Sequence, residues 1–272
     1  MMDRHRPAAV AGSWYPGDPV RLATAVDSDV SAAGVEPLPQ PPCALIAPHA
    51  GLMYSGPVAA FAYKAARIGS YRTIVLVGPS HFVPFRGVAL WGEGDWETPF
   101  GPVGVDAELA AAIRAHATDI VELPEAHQRE HSLEMQLPFV ARLFAGAAVV
   151  PLVMGHQTRH TAFALGDAFA AAVRAAPARQ PAATGGGRHH DILIVASSDL
   201  SHYEDAGTAA ALDAVMIGHV EALDPDGLMA ALEREPRHAC GGGPMVTVLH
   251  AARQLGASSA RVLRYADSGD VS

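Results

Sequence analysis

Apolar segments of strand length alternate with helical patterns along this chain, and four of the segments run directly into a histidine. The segments "CALIAPH", "TIVLVGPSH", "VVPLVMGH" and "ILIVASSDLSH" end at His49, His81, His156 and His202. Strands that alternate with helices are typical of a layered α/β domain. We therefore expect a central, largely parallel or mixed sheet flanked by helices.

The direction of these strands decides where the histidines lie. The carboxyl ends of parallel strands meet at one edge of a sheet, and ligands of open α/β sheets bind in the crevice beyond that edge. If the four segments are parallel strands, the residues that follow them converge there. The repeated pattern thus predicts one functional site at this edge.

Apolar periodicity and capping residues predict the individual elements. The expected strands are Cys43–Ala47, Thr73–Val77, Val88–Trp91, Val149–Met154, a stretch from Ile192, and a final strand in "SARVLRYA". The expected helical features are N-caps at Asp18, Asp106 and Asp224, helices near Val58–Arg67 and in "HSLEMQLPFVARLF", and a last helix ended by Gly256.

The composition limits the classes of protein to consider. The 272 residues are 50% hydrophobic, which is enough for one large core. The polar stretch "PARQPAATGGGRHHD" is interpreted as a loop, because the strand–helix alternation resumes after it. Residues 1–272 are therefore expected to form a single domain.

Charge and cysteine content exclude several functions. The net charge of −9 argues against binding to nucleic acid, whose partners usually present a basic face. The sequence has no apolar run of about 18 residues, so no membrane span is expected. Neither a secretion signal nor a disulfide framework is indicated, since the first ten residues are not apolar and only two cysteines occur. A cytoplasmic location is expected.

His49 and His81 are the strongest candidates for a metal site. Each lies one or two residues beyond an apolar strand, in a loop rich in proline and glycine. A neutral imidazole is a common ligand for iron, copper and zinc. The alternative is a pair of ordinary loop histidines bonded to the backbone, and the duplicated context favours the metal site.

Cys240 is followed by three glycines and a predicted helix. A thiol at a helix N-terminus is a better nucleophile or metal ligand, and glycine amides can hold an anion. If Cys240 binds a metal ion, we expect its thiolate to be favoured near neutral pH. A small buried thiol beside helix-capping glycines is the alternative. Cys43, in a core strand, is expected to be inert.

Two further motifs bring acids and histidines together. In "QREHSLEMQLPF", Glu130, His131 and Glu134 suggest an acid–base or ligand-orienting group, or simply the acidic start of a helix. In "SSDLSH", Asp199 and His202 follow a strongly apolar strand, and an aspartate can orient an imidazole for proton transfer or metal binding. His156 is interpreted as an ordinary loop histidine, and His189 and His190 as solvent-facing.

Seven segments in order resemble the Memo family, whose bacterial members are called AmmeMemoRadiSam system protein B. They are "AGSWYP", "IAPHAGLMYSGPVAAFAYK", "VGPSHFVP", "EHSLEMQLPF", "SSDLSH", "CGGGPM" and "YADSGDVS". The resemblance implies a fold similar to the class III extradiol dioxygenases, which bind non-haem iron through two histidines and a glutamate.

By this resemblance, His49 and His81 match the two histidine ligands, and Cys240 stands in place of the carboxylate. His131, Asp199 and His202 would surround the metal as candidate catalytic residues. A site of two histidines and one cysteine is softer than the usual iron site and also suits copper. The resemblance therefore implies iron or copper, with zinc less favoured, and does not carry over dioxygenase activity.

Three functions follow as hypotheses. The first is redox or oxygen chemistry on a small or peptidyl substrate, the second a binding module for a peptide or protein that has lost metal chemistry, and the third a zinc hydrolase with Glu130 or Asp199 as base. The family name also implies a radical-SAM protein and an Ammecr-type protein as partners. Relatives usually continue past "SGDVS", so the end at Ser272 is expected to be truncated or naturally short.

Overall fold

The computed structural model describes residues 4–176 and 191–270. Most of the predicted loop at 177–191, with His189 and His190, lies outside the described residues. The strands are β1 (His5–Arg6), β2 (Ala44–Ala47), β3 (Thr73–Pro79), β4 (Val88–Leu90), β5 (Asp95–Trp96), β6 (Val103–Gly104), β7 (Ile120–Val121), β8 (Ala148–Met154) and β9 (Ile192–Ser197). The helices are α1 (Pro19–Ala32), α2 (Leu52–Ala66), α3 (Ala107–Ala115), α4 (Glu125–Gln128), α5 (Leu137–Leu143), α6 (Arg159–Ala175), α7 (Ala206–Glu221), α8 (Pro225–Arg234) and α9 (Gly242–Gln254).

A six-stranded mixed sheet forms the centre of the fold. Its strand order is β2-β9-β3-β8-β4-β7. The first four strands are parallel to one another, β4 is antiparallel to β8, and β7 is parallel to β4. The predicted layered α/β architecture is therefore confirmed, and the strands that precede His49, His81 and Asp199 end at the same edge.

Helices cover both faces of this sheet because its central strands are apolar on both sides. In β3, Ile74 and Leu76 pack with residues of α1, α2 and α5. Val75 and Val77 point to the other face, where they pack with residues of α3, α6 and α9. Alternating side chains of one strand thus contribute to two cores, which is why the strand appears in the sequence as an unbroken apolar run.

Capping chemistry sets several helix starts as predicted. The carboxylates of Asp18, Asp106 and Asp224 accept hydrogen bonds from backbone amides in the first turns of α1, α3 and α8. These bonds satisfy amides that have no partner within the helix. None of the described helices is both long enough and apolar enough to cross a membrane.

The predicted final strand in "SARVLRYA" is wrong, because residues 259–266 form neither a strand nor a helix. Side chains hold this segment instead: Arg261 pairs with Glu36 at 2.9 Å, and the Tyr265 hydroxyl donates to Asp213 at 2.8 Å.

Helix α7 was not predicted. Its apolar residues lie on all sides, and its buried residues are Asp213 and Met216, so it lacks the one-sided periodicity of a core helix.

A small second sheet holds the amino-terminal segment in position. Strand β1 pairs in parallel with β5, which pairs in an antiparallel manner with β6. The first strand carries Arg6, which is completely buried. An arginine in a core needs several hydrogen-bond acceptors, and residues 127–134 supply most of them.

Candidate metal centre

The carboxyl edge of the parallel strands brings three predicted residues together. Strand β9 lies between β2 and β3, so the loops after these three strands are neighbours. They carry Asp199, His49 and His81, respectively. The predicted convergence at this edge therefore occurs for three of the strands.

Three imidazoles form the first candidate ligand group. The ring centroids of His49 and His81 lie 5.3 Å apart, those of His49 and His131 5.5 Å, and those of His81 and His131 4.4 Å. One nitrogen from each ring lies within 4.8 Å of the other two. This spacing allows three nitrogens to contact a single ion.

His49, Asp199 and Cys240 form the second group, again with ligand atoms within 4.8 Å of one another. His49 Nε2 lies 3.3 Å from Cys240 Sγ and 4.0 Å from Asp199 Oδ2. The predicted ligands His49, His81 and Cys240 are therefore divided between two groups that share His49. That histidine is the centre of the arrangement.

Hydrogen bonds orient the two strand-end histidines. His49 Nδ1 lies 2.8 Å from Ser197 Oγ, and His81 Nδ1 lies 2.8 Å from Glu130 Oε1. With these nitrogens engaged, Nε2 of each ring remains for a ligand. Ligating histidines usually use their second nitrogen in this way, which fixes the ring.

Glu130 is held as a carboxylate. Burial raises its pKa, but hydrogen bonds from the His81 ring and from the backbone amides of His81 and Ser132 outweigh burial and lower the pKa to about 2. An ionised carboxylate can only accept hydrogen bonds, so it requires a proton on His81 Nδ1.

The imidazoles of His49 and His131 are in the neutral form that a metal ion requires of its ligands. Burial lowers the pKa of His49 to about 4, and burial also lowers the pKa of His131. Both rings are thus neutral at physiological pH, as metal ligands must be. His131 Nδ1 is buried without a hydrogen bond among the described residues. The donors present therefore fit a transition-metal ion.

Close packing around two glycines places Cys240. A Cβ on Gly241 would lie 2.5 Å from the Ser197 carbonyl oxygen, so only glycine lets this loop approach β9. The amides of Gly241 and Gly243 donate to Ser198 Oγ and Gln157 Oε1. These two amides are therefore not available for an anion, contrary to the sequence-based interpretation.

The Cys240 thiol is protonated in this environment. Burial and the nearby Asp199 carboxylate raise its pKa to about 12. The helix N-terminus and glycine loop therefore do not suffice to produce the expected thiolate. A Cys240 thiolate at this position would need a bound cation to stabilise its negative charge.

The other predicted residues have different positions. Asp199 Oδ1 accepts hydrogen bonds from the backbone amides of His49 and Ala50, so this residue fixes the His49 loop. His202 is exposed and belongs to neither ligand group; it lines a pocket of about 380 Å³ that reaches Cys240. His156 is exposed and belongs to neither ligand group, in agreement with its interpretation as a loop histidine.

Aromatic side chains cover His131. The ring centroid of Trp14 lies 4.2 Å from that of His131, and the ring centroid of Phe82 lies 5.9 Å from it. The planes of the His131 and Phe82 rings meet at 79°, and those of His131 and Trp14 at 43°. Trp14 therefore belongs to the wall of the site as well as to the amino-terminal segment. His131 itself precedes the helix: residues 134–136 form a 3-10 turn and α5 begins at Leu137, later than predicted.

A buried ion pair, Arg6–Glu134, was not predicted. Arg6 Nη1 lies 2.5 Å from Glu134 Oε2, and both side chains are completely buried. Arg6 also donates to the carbonyl oxygens of His127 and Glu130, while Glu134 accepts from the Tyr15 hydroxyl. This pair clamps the amino-terminal segment to the loop that carries the site residues.

His127 lies in a cage formed with Trp91 and Trp96, each ring 5.7 Å away. Burial, followed by the charge of Arg6, lowers its pKa to about 3, although the Ala89 backbone and Glu130 oppose this shift. Neither ring nitrogen makes a hydrogen bond of normal geometry among the described residues. His127 is therefore neutral in the folded protein.

The buried His127 predicts a pH dependence of stability. Since its pKa is depressed on folding from a usual value near 6.5, the unfolded chain binds more protons between about pH 6.5 and 3. The free energy of unfolding should fall by up to a few kcal/mol as pH drops through this window. Urea unfolding at a series of pH values measures this, and His127→Leu should flatten the curve. An equally steep curve for the variant would contradict this assignment.

Comparisons with known proteins give a consistent result. The chain matches the family model described as Memo-like protein over residues 6–272. A MEMO1 family protein of Sulfolobus acidocaldarius is 38% identical over 277 residues, covering 97% of this chain and 93% of the relative. Relatives of the same name from Methanothermobacter thermautotrophicus and Thermotoga maritima are 38% and 34% identical, each covering 98% of this chain and 94% of the relative.

Proposed function

This chain belongs to the Memo-like protein family, and we propose that it is a metal-dependent oxidoreductase. The proposed ligands are His49, His81 and Cys240, with iron or copper as the metal. Asp199 and His131 lie beside these ligands as candidate catalytic residues, and His202 lines the approach to Cys240.

One observation carries the proposal: His49 belongs to both ligand groups. An ion held by His49 could take further ligands from His81 and His131 or from Asp199 and Cys240. Imidazole suits iron and copper, and a thiolate adds the softness that copper prefers. When bound, such an ion supplies one-electron chemistry to a substrate or to oxygen.

The surrounding residues prepare the site for this role. Ser197 and Glu130 orient the two histidines, and Asp199 ties the His49 loop in place. Glu130 already accepts three hydrogen bonds from His81 and Ser132, which leaves it poorly suited to activate water. This engagement favours redox chemistry over a zinc hydrolase that uses Glu130 as its base.

The substrate is proposed to be a small molecule or a peptide that enters beside Cys240. The pocket lined by His202, Tyr203 and Arg237 is also lined by Cys240 and offers one route. The family's bacterial name supports a partnership with a radical-SAM protein and an Ammecr-type protein. Co-purification from cells that express all three proteins tests the partnership, and failure to recover either partner would count against it.

Metal retention tests the proposed site. Fe(II), Cu(I) and Zn(II) are supplied separately under anaerobic conditions, and bound metal per chain is measured after dialysis against a mild chelator. We expect wild type to retain iron or copper in preference to zinc. Cys240→Ser should lose affinity more than about tenfold, because serine keeps the size of the side chain but does not supply a thiolate.

Cys43→Ser is the matched control. Cys43 lies before β2 and belongs to neither ligand group, so its loss should not change metal retention. Equal retention by wild type and Cys240→Ser would remove the cysteine from the ligand set. Preferential retention of zinc would favour a hydrolase, and no retention of any metal would favour a peptide- or protein-binding module.

A further inference from the structure

A chain of buried polar side chains ends at His49. The Tyr63 hydroxyl lies 2.8 Å from Gln136 Oε1, and Gln136 Nε2 lies 2.8 Å from Ser197 Oγ. Ser197 Oγ in turn lies 2.8 Å from His49 Nδ1. All four side chains are buried, so the hydrogens in this chain can be assigned without competition from bulk water.

The Pro48 carbonyl fixes the orientation of Gln136. The terminal amide atom of Gln136 lies 3.0 Å from Pro48 O, and a carbonyl oxygen can only accept a hydrogen bond. The amide atom at this position must therefore be nitrogen. Its two hydrogens go to Pro48 O and Ser197 Oγ, while Oε1 accepts from Tyr63.

The Ser132 carbonyl fixes the hydroxyl of Ser197. Ser197 Oγ lies 2.6 Å from Ser132 O, which again can only accept, so the single hydroxyl hydrogen is used there. Ser197 Oγ then has two lone pairs left. One accepts from Gln136, and the other has to accept from His49 Nδ1.

We propose that Ser197 is a positioning residue that fixes the tautomer of His49, with Gln136 holding the Ser197 hydroxyl in place. His49 carries its proton on Nδ1, and the lone pair of Nε2 points to Cys240 and the ligand groups. Two carbonyl oxygens, of Pro48 and Ser132, determine the direction of the whole chain. The tautomer follows from these contacts alone, whereas its effect on metal affinity rests on the proposed function.

Removing the Ser197 hydroxyl should release this constraint. In Ser197→Ala, a proton on His49 Nδ1 no longer has the hydroxyl oxygen of residue 197 as its acceptor. A proton on His49 Nε2 can instead face the Asp199 carboxylate, whose Oδ2 lies 4.0 Å away. The tautomer equilibrium should then shift toward the Nε2-protonated form. Loss of a residue that orients a metal-bound histidine typically costs roughly 10- to 100-fold in affinity.

The experiment reads the tautomer and the affinity separately. Nitrogen-15 NMR of histidine-labelled, metal-free protein at neutral pH reports which nitrogen of His49 is protonated, and anaerobic titration with Fe(II) gives the dissociation constant. We expect Nδ1 protonation in wild type and in Ser197→Thr, which keeps the hydroxyl. Ser197→Ala should shift the tautomer and raise the dissociation constant roughly 10- to 100-fold.

Thr247→Val is the matched control. Thr247 is a completely buried residue whose hydroxyl donates to Ala162 O at 2.9 Å, and it takes part in neither ligand group. Loss of the Thr247 hydroxyl should change neither the His49 tautomer nor the Fe(II) dissociation constant.

Nε2 protonation of wild-type His49 would overturn the inference, even if Ser197→Ala does not fold. So would an unchanged tautomer in a folded Ser197→Ala protein. If wild type shows the expected tautomer but binds neither Fe(II) nor Cu(I), the proposed metal function fails while the inference about Ser197 stands.

Discussion

His49→Leu is expected to cause the largest loss of metal affinity among single substitutions in this site. His49 is the one residue common to both ligand groups, so its removal leaves His81 with His131 and Asp199 with Cys240 as separate pairs. The loss should exceed the roughly 10- to 100-fold typical for a residue that only orients a ligand. Anaerobic titration with Fe(II) or Cu(I) measures it, and a loss smaller than that of Ser197→Ala would contradict the central role of His49.

His127→Leu is the control for this substitution. His127 is as deeply buried as His49, and it belongs to neither ligand group. The same change of side chain should therefore leave the metal dissociation constant unchanged in the folded protein. A similar loss in both variants would mean that general disruption of the core, and not the missing ligand, weakens binding.

Arg6→Met is expected to have the largest effect on stability. It leaves Glu134 buried without its ionic partner and removes the donors to the carbonyl oxygens of His127 and Glu130. Breaking a buried pair by removing one partner typically costs about 3–5 kcal/mol. The free energy of unfolding in urea should fall by this amount, and metal affinity should fall too, because the loop with Glu130 and His131 loses its anchor.

Arg142→Ala provides the comparison. Arg142 forms a two-point ion pair with Asp27, with contacts of 2.9 and 2.5 Å, but both side chains are exposed. Exposed pairs contribute little because water and salt screen them. If Arg6→Met destabilises the protein no more than Arg142→Ala does, the Arg6–Glu134 pair does not contribute to stability beyond an exposed ion pair.

The sequence predicts the main strands because they are buried on both faces. β3, β8 and β9 appear as unbroken apolar runs, and the residues that follow β2, β3 and β9 meet because these strands are parallel neighbours. The same argument does not place His156 or His202 in a ligand group, since nothing in the local pattern tells how a loop turns after the strand ends.

The residues that orient the ligands could not be found by this route. Ser197 is 148 positions from His49, and Arg6 is 128 positions from Glu134, so no local spacing links them. A serine that ends an apolar strand or an arginine near the amino terminus has many ordinary roles. Only one sequence feature could have pointed to Ser197: it is a polar residue at the end of a buried strand, and such a residue needs a hydrogen-bond partner.

The distance along the chain between His49 and Cys240 has a consequence for how the site matures. Their contact at 3.3 Å joins residues 191 positions apart. At a synthesis rate of roughly 5–20 residues per second, a ribosome adds the cysteine about 10–40 seconds after His49. In the last part of that interval, after His131 has been added, the growing chain carries all three clustered histidines but not the thiol. An ion captured at that stage would meet only imidazole ligands from this cluster, and ligation by the Cys240 thiol would have to follow later.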